Sequence, residues 1–271
     1  MTKKYAAVYQ PLIERVQAET EKGHKKTNDR DKALKTKLHQ LYGAYTQENA
    51  HKKATAIISA LEESAATQAW VASASLRNND ESEFAATSLL SLHASTKERL
   101  LNYVGFYDFI LSHTGPLESI LDIGCGYNPF SIPLIPGAVN LNAYHAYDID
   151  TRVADLLNRF FACLSLPPLA KCADLAVHPL LPQADIALMC KLIPVLEAQS
   201  PGSGFRLARE LNTRYLLITY PLKSLSGREK GMATHYTAAF ERALADGELG
   251  RFALTGQSRV GGEILYLLVA S

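Results

Sequence analysis

The chain has 271 residues, of which 47% are hydrophobic and 20% charged, with a formal net charge of +1. These values are typical of a soluble globular protein that can bury a large core. Its apolar stretches are shorter than the roughly 18 residues that a membrane-spanning helix needs, and no apolar segment follows the initial Met-Thr-Lys-Lys. We therefore expect a cytoplasmic protein without a membrane anchor.

The charge is unevenly distributed along the chain. Residues 1–53 carry twelve Lys and Arg against six Asp and Glu, whereas the remainder carries 16 and 21. A basic head on a mildly acidic body favours a polyanionic partner such as nucleic acid, although a charge run is more often a solvated helix surface.

The cysteine pattern argues against a metal site. The four cysteines are Cys125, Cys163, Cys172 and Cys190. They form no Cys-x-x-Cys pair and have no histidine at ligand spacing. We expect buried, reduced thiols, with neither a disulfide framework nor bound zinc.

The first 113 residues are predicted to be helical. Val8, Leu12, Ile13 and Val16 lie on one helical face, and the segment 29–45 places apolar residues at helical spacing with its lysines between them. Two further short helices are predicted; they cover 54–61 and 84–92.

A capping box is predicted at the start of the next helix. In Ser95-Thr-Lys-Glu98, the Ser95 side chain would cap the helix and Glu98 would reach back to its backbone. This helix is predicted to continue through Ile110 to Gly115-Pro116. Gly115-Pro116 then marks the predicted boundary between an N-terminal helical domain (1–115) and a second domain (116–271).

From residue 117 onward, strands alternate with helices. The predicted strands are 118–123, 142–148, 168–172, 185–190, 214–220, 263–269 and a weaker one at 251–257. This alternation predicts an α/β fold with a mostly parallel, doubly wound sheet. The last two strands are joined by Ser-Arg-Val-Gly-Gly262 as a hairpin, so one of them must run antiparallel. A parallel sheet closed by such a hairpin is typical of methyltransferases and distinguishes them from dehydrogenases.

A glycine-rich turn follows the first predicted strand. The apolar run 120–123 ends in Gly124-Cys-Gly126, where the backbone can approach a ligand closely. About 20 residues later the second strand ends in Asp148-Ile-Asp150, where an acid would meet ribose hydroxyls. This spacing indicates a nucleotide-like cofactor, although the turn alone fits an ordinary strand–turn–helix equally well. After Gly126 the sequence continues with Tyr127-Asn128 and lacks the third glycine of a dinucleotide fingerprint, which argues against NAD.

Motifs along almost the whole chain carry a family resemblance. They lie at 38–45, 92–100, 122–129, 148–150, 191–197, 220–228, 231–232, 236 and 240–241. In these stretches the chain resembles the aminoglycoside-resistance 16S ribosomal RNA methyltransferases that modify N7 of guanine 1405. The motifs of the helical head are more specific than the glycine turn, which any methyltransferase could share. The resemblance implies a class I S-adenosylmethionine-dependent methyltransferase fold, Rossmann-like with a C-terminal antiparallel hairpin, behind an all-helical N-terminal domain.

The resemblance also implies a site for S-adenosylmethionine at the carboxyl ends of the strands. Gly124 and Gly126 would let the backbone reach the methionine moiety, Asp148 would hold the ribose hydroxyls, and Asp174 would accept a hydrogen bond from the adenine amine. Asp150 is the weaker ribose candidate and is predicted to be a helix N-cap instead. For Asp174 a helix N-cap is the alternative.

Two cations are implied at the methionine end of the cofactor. Arg99 matches the family arginine that pairs with the cofactor carboxylate, for which a planar guanidinium offers a two-pronged contact. Lys191 is the second candidate, and it can instead face the substrate or form the rim of the pocket.

The expected chemistry requires no general base. N7 of guanine carries a free lone pair, so catalysis can depend on holding the nitrogen, methyl carbon and sulfur in line. The target base must be splayed out or flipped to reach the site.

The resemblance places Lys223, Arg228 and Met232, at the loop after the fifth strand, beside the cofactor and the target nucleotide. A solvated surface loop is the alternative there.

The basic residues of the head are expected to dock the protein on RNA, mostly through phosphates. They are Lys25, Lys26, Arg30, Lys32, Lys35, Lys37, Lys52 and Lys53. The implied partner is the 30S ribosomal subunit with its 16S rRNA, bound by a monomer without metal. The implied outcome is resistance to gentamicin- and kanamycin-type aminoglycosides.

Three alternatives remain open: a methyltransferase of the same fold acting on another RNA position or a small molecule, a non-catalytic rRNA-binding protein, and a dehydrogenase.

Overall fold

A computed structural model describes residues 5–23, 27–43, 49–63, 80–222 and 232–271. Its helices are α1 (Gln10–Gly23), α2 (Thr27–Leu38), α3 (Ala50–Glu63), α4 (Asp80–Leu90), α5 (Ala94–Arg99), α6 (Tyr103–Thr114), α7 (Thr151–Cys163), α8 (Ile193–Glu197), α9 (Ser203–Glu210) and α10 (Met232–Ala245). Its strands are β1 (Ser119–Ile123), β2 (Ala143–Asp148), β3 (Ala170–Cys172), β4 (Ala184–Cys190), β5 (Thr213–Pro221), β6 (Phe252–Val260) and β7 (Glu263–Ala270). None of the helices in these ranges combines the length and the apolar character needed to cross a bilayer.

All seven predicted strands are present and form one sheet of order β3-β2-β1-β4-β5-β7-β6. The first five strands are parallel, and β7 pairs antiparallel with both β5 and β6. The strand β6 extends to Val260, three residues beyond its predicted end, so only Gly261-Gly262 form the turn. Gly261 has a φ of 56°, which suits a two-residue hairpin connection.

The sheet is covered on both faces because successive side chains point to opposite sides. Ile120 and its neighbours on one face pack with α3, α4, α6 and α7. Leu121 and the alternate residues pack with α8, α9 and α10 on the other face. Burial on both faces explains why the central strands are nearly continuous apolar runs rather than alternating ones.

The first two helices form a separate small core. The predicted apolar face of α1, which includes Leu12 and Val16, is buried against Leu38 of α2, and Ile149 packs against this cluster. Val8 forms a β-bridge with Asp150, next to the carboxyl end of β2. The N-terminal segment therefore lies at the carboxyl ends of the strands, where a ligand is expected.

The chain changes from helices to strands at the predicted position, where Gly115 ends α6 with a φ of 70°. However, α3, α4 and α6 share a hydrophobic core with the sheet. Gly115 therefore marks a change of secondary structure, and residues on both sides of it pack into the same hydrophobic core. The division into domains 1–115 and 116–271 stays a prediction.

The predicted capping box at Ser95 is wrong. The helix α5 begins at Ala94 after His93, which has an extended backbone and makes no side-chain cap. Glu98 does not reach back to the backbone, because its carboxylate pairs with Lys191 at 2.6 Å. The predicted long helix is also interrupted, since a 3-10 turn (Leu100–Asn102) separates α5 from α6.

The predicted N-cap at Asp150 is confirmed. Its Oδ1 accepts a hydrogen bond from the backbone N–H of Arg152 at 2.9 Å, in the first turn of α7. Its Oδ2 accepts from the hydroxyl of Tyr42 at 2.8 Å. One buried carboxylate therefore both caps a helix and holds the N-terminal segment.

We expect Asp150→Ala to lower the free energy of unfolding by about 2 kcal/mol, because it removes a helix cap and a buried hydrogen bond. Urea unfolding followed by circular dichroism measures this change. Asp155→Ala is the matched control, because Asp155 is exposed on the same helix. An equal loss in both variants would contradict the role assigned to Asp150.

Candidate functional site

A cavity of about 370 Å³ lies at the carboxyl ends of the strands. It is located where the strand order reverses on either side of β1, the position at which open α/β sheets bind ligands. All six residues predicted to bind a cofactor line it. They are Arg99, Gly124, Gly126, Asp148, Asp174 and Lys191. Leu12, Tyr42 and His51 of the N-terminal segments complete the wall.

The glycine turn after β1 needs glycine at both positions. Gly124 and Gly126 have φ values of 67° and 51°, a region that other residues rarely adopt. A Cβ on Gly126 would also lie 3.1 Å from the ring of His93. The Gly126 N–H donates to Asp148 Oδ2 at 2.8 Å, so the turn and the end of β2 are fastened together.

The carboxylate of Asp148 is fixed by backbone donors. Its Oδ1 accepts from the N–H groups of Ile149 and Asp150 at 2.7 and 2.9 Å. Together with the bond from Gly126, these contacts leave one acceptor position, on Oδ2. Burial raises the pKa of Asp148, although the surrounding N–H groups oppose this shift. Its contact with ribose stays a prediction.

Arg99 lies at the centre of a buried charge cluster. Its side chain is 2% exposed and forks onto Glu263, with Nε–Oε1 and Nη2–Oε2 distances of 3.1 and 2.7 Å. Its Nη1 donates to Asn128 Oδ1 at 2.8 Å. Since each Nη carries two hydrogens, one N–H on each remains for a ligand carboxylate. That contact stays a prediction.

Lys191 closes the same cluster. Its Nζ lies 2.6 Å from Glu98 and 3.3 Å from Glu263. Burial would raise the pKa of Glu263, but the adjacent Arg99 and Lys191 hold it below its usual value. Lys191 also has a φ of 57°, an uncommon backbone conformation for a residue with a side chain. The structure places Lys191 in the cavity wall, and which ligand group it contacts stays open.

Asp174 has the N-cap geometry that was its predicted alternative. Its Oδ1 accepts from the Ala176 N–H at 3.2 Å, at the start of a 3-10 turn (Leu175–Val177). Arg15 of α1 forks onto the same carboxylate, with Nε–Oδ2 and Nη2–Oδ1 distances of 2.5 and 3.1 Å. The predicted contact with adenine stays untested and is compatible with the cap.

One wall of the cavity is aromatic and uncharged. The ring of His93 stacks on Tyr127, with centroids 5.3 Å apart. Burial lowers the pKa of His93 to about 4, and the charge of Lys191 adds to this effect. His93 is therefore neutral at physiological pH and adds no positive charge to the site.

The predicted RNA-docking residues are only partly described. Lys32 and Lys35 of α2 and Lys52 and Lys53 of α3 are exposed. Arg30 is half-buried on α2, and Lys37 donates to Glu19 at 2.9 Å. The remaining predicted residues Lys25, Lys26, Lys223 and Arg228 lie outside the described residues. Met232 begins α10, and its side chain is also outside the described part.

Sequence reasoning missed three residues that build the site. Glu263 begins an otherwise apolar strand, and an acid in that position signals a buried charge with a partner. Asn128 was considered only as part of the departure from a dinucleotide fingerprint. It links Arg99 to the fully buried Asp122, which accepts from Asn128 Nδ2 at 2.8 Å. Arg15 was counted only as part of the basic head, and no local pattern distinguishes it from its neighbours.

The parallel sheet with its antiparallel end strands, the glycine turn after β1 and the acid at the end of β2 define a class I S-adenosylmethionine-dependent methyltransferase. The family model described as "Ribosomal RNA methyltransferase (FmrO)" matches residues 1–264. The chain belongs to this family.

Individual relatives agree with the family match. The chain is 30% identical to a 16S rRNA (guanine(1405)-N(7))-methyltransferase of Proteus mirabilis, over 98% of this chain and 92% of that protein. It is 31% identical to the protein of the same name from Serratia marcescens, over 98% and 94% of the two chains.

Solved structures also resemble nearly the whole chain. The crystal structure of the 16S rRNA methyltransferase RmtF in complex with S-adenosyl-L-homocysteine has a TM-score of 0.81 and 30% identity, covering 98% of this chain and 93% of that one. The 16S rRNA methylase RmtB has a TM-score of 0.78 and 28% identity, covering 100% and 94%.

We expect Glu263→Gln to lower the free energy of unfolding by about 3 kcal/mol, because Arg99 would stay buried without its counter-charge. Urea unfolding measures the loss. Glu98→Gln is the control: Glu98 is 49% exposed, so its pair with Lys191 is screened and its loss should cost less than about 1 kcal/mol. A larger loss for Glu98→Gln would show that the buried pair has been misassigned.

Proposed function

We propose that this protein transfers a methyl group from S-adenosylmethionine to N7 of guanine 1405 of 16S rRNA in the assembled 30S subunit, and so confers aminoglycoside resistance. One observation carries the proposal. The six predicted cofactor residues converge on a single cavity, in a chain about 30% identical over nearly its whole length to relatives named for this reaction.

The cavity suits the chemical groups of S-adenosylmethionine. Arg99 and Lys191 supply positive charge for the methionine carboxylate, and the Gly124–Gly126 turn brings backbone close to the amino-acid chain. Asp148 presents an acceptor to a ribose hydroxyl. Asp174 would accept a hydrogen bond from the amine of adenine, and the adjacent Leu175 would pack against the apolar face of the ring. When bound, the cofactor supplies an electrophilic methyl group on a sulfonium.

The protein contributes to the reaction by positioning the cofactor and the guanine and by excluding water from the site. Since N7 of guanine has a free lone pair, no side chain has to remove a proton. The buried Arg99–Glu263 pair holds one end of the site rigid, and the aromatic wall of His93 and Tyr127 excludes water from it. Because His93 is neutral, it does not repel the cationic sulfonium or the cationic product.

Substrate would enter beside the carboxyl end of β5. There Leu222 donates its N–H to Gly262 O at 2.8 Å, which connects Leu222 to the hairpin turn. Lys223, Arg228 and Met232 follow in sequence and are proposed to contact the target nucleotide and its phosphates. The basic residues of the head would hold the surrounding rRNA, and a base in the folded subunit must be splayed out or flipped.

Methylation of purified 30S subunits with labelled S-adenosylmethionine tests the function. Primer extension after borohydride–aniline cleavage should stop at guanine 1405, and subunits already methylated there should take up no label. Label in free 16S rRNA, another RNA or a small molecule but not in 30S particles would overturn the proposal. Calorimetry that detects no binding of S-adenosylmethionine would favour a non-catalytic RNA-binding protein.

We expect the double variant Lys32→Glu with Lys35→Glu to bind 30S subunits about tenfold or more weakly, because both exposed lysines would lose phosphate contacts. The slope of log affinity against log salt concentration should fall by about 2. Filter binding at several salt concentrations measures both quantities.

The matched control is Lys171→Glu with Arg206→Glu, which makes the same charge change at exposed positions on the body. This variant should bind 30S subunits nearly as well as the unsubstituted protein. Calorimetry should show unchanged affinity for S-adenosylhomocysteine in both. An equal loss of 30S binding in the two variants would mean that overall charge, not the head, governs docking.

A further inference from the structure

The part of the cavity wall around Asp174 is built from two distant parts of the chain. Asp174 follows β3, whereas Arg15 is on α1, yet the two side chains form a bidentate pair with distances of 2.5 and 3.1 Å. Asp174 lines the cavity, and its side chain is 4% exposed. Arg15 contacts Asp174 but is not among the residues that line the cavity.

The hydrogen bonds of Asp174 leave one acceptor position for a ligand. A carboxylate oxygen accepts about two hydrogen bonds. Oδ1 of Asp174 accepts from Arg15 Nη2 and from the Ala176 N–H, so its capacity is used. Oδ2 accepts from Arg15 Nε alone, which leaves it one acceptor position. The fork therefore fixes both the rotation of the carboxylate and the oxygen that can receive a ligand donor.

Arg15 orders a second polar group of the same wall. Its Nη2 also donates to Gln199 Oε1 at 2.8 Å, and Gln199 lines the cavity. Arg15 is itself held by Glu19, one turn later on α1, at 2.7 Å. Glu19 in turn accepts from Lys37 of α2 at 2.9 Å. The Arg15 guanidinium is thus held by Glu19 on one side and by Asp174 and Gln199 on the other. Because it is already fixed, ligand binding at Asp174 would cost it little side-chain entropy.

We propose that Arg15 is a positioning residue for the cofactor: through Asp174 and Gln199 it orients the acceptors that receive the adenine, so that the helical N-terminal part of the chain completes the cofactor site. This inference rests on the proposed function, in which Asp174 faces the adenine amine. Arg15 touches neither cofactor nor substrate in this arrangement.

Calorimetric titration of Arg15→Gln tests the inference with two ligands, S-adenosylhomocysteine and 5′-methylthioadenosine. Both contain adenine, and only the first has the amino-acid part. We expect both to bind about tenfold more weakly, by the same factor, since a charge-assisted orienting contact is lost. Arg15→Lys should be intermediate, because an ammonium can hold one carboxylate oxygen but cannot fork.

A double-mutant cycle separates positioning from a general structural role. If Arg15 acts through Asp174, adding Arg15→Gln to Asp174→Asn should cause little further loss of affinity. Thr151→Ala is the control, because it removes a hydrogen bond from Thr151 to the carbonyl of Ala7 and leaves the cavity untouched. It should bind both ligands as the unsubstituted protein does.

Several results would overturn the inference. They are unchanged or tighter binding by Arg15→Gln, an equal loss in the Asp174→Asn background, and an equal loss in Thr151→Ala. A loss confined to S-adenosylhomocysteine would also contradict it, since that would place the effect at the amino-acid end. Failure of the unsubstituted protein to bind either ligand would instead overturn the proposed cofactor site, and this inference with it.

Discussion

The buried pair of Arg99 and Glu263 connects the parts of the chain that must meet at the cavity. Arg99 ends α5, Glu263 begins β7, and Asn128 bonds to Arg99 from the turn after β1. Burying two opposite charges in a low-dielectric interior costs desolvation free energy, and their attraction offsets this cost only when their geometry is close to ideal. Lys191, directly after β4, and Thr219 of β5 also contact Glu263, so one carboxylate connects a helix, two parallel strands and the last hairpin.

The sheet could be predicted because its strands are buried on both faces and each is separated from the next by a clear break. The hairpin was evident from Gly261-Gly262, and the cap at Asp150 from its position directly after a strand. The predicted cap at Ser95 failed for a reason that no local pattern contains. Its partner Glu98 forms an ion pair with Lys191, which is distant in sequence and adjacent only after folding.

In the candidate site, too, some residues could be predicted from the sequence and others could not. Asp148 could be predicted from the sequence because it ends a strand about 20 residues after the glycine turn. Asp174 was predicted only from the family resemblance. The residues that orient the site's side chains could not be predicted. Glu263 lies far from Arg99 in sequence, and Arg15 is one of many basic residues in the head. Periodicity describes what an element buries, and it says nothing about which charges from separate elements will pair.

The chain of contacts from Lys37 through Glu19 and Arg15 to Asp174 has a thermodynamic consequence. It joins a helix proposed to face ribosomal RNA to the wall of the cofactor cavity. A phosphate that attracted Lys37 away from Glu19 would alter the surroundings of Arg15, and hence the affinity for cofactor. Free-energy linkage is reciprocal, so bound cofactor would change the affinity for the ribosome by the same factor. Loading of the enzyme and recognition of its target would then be one coupled equilibrium.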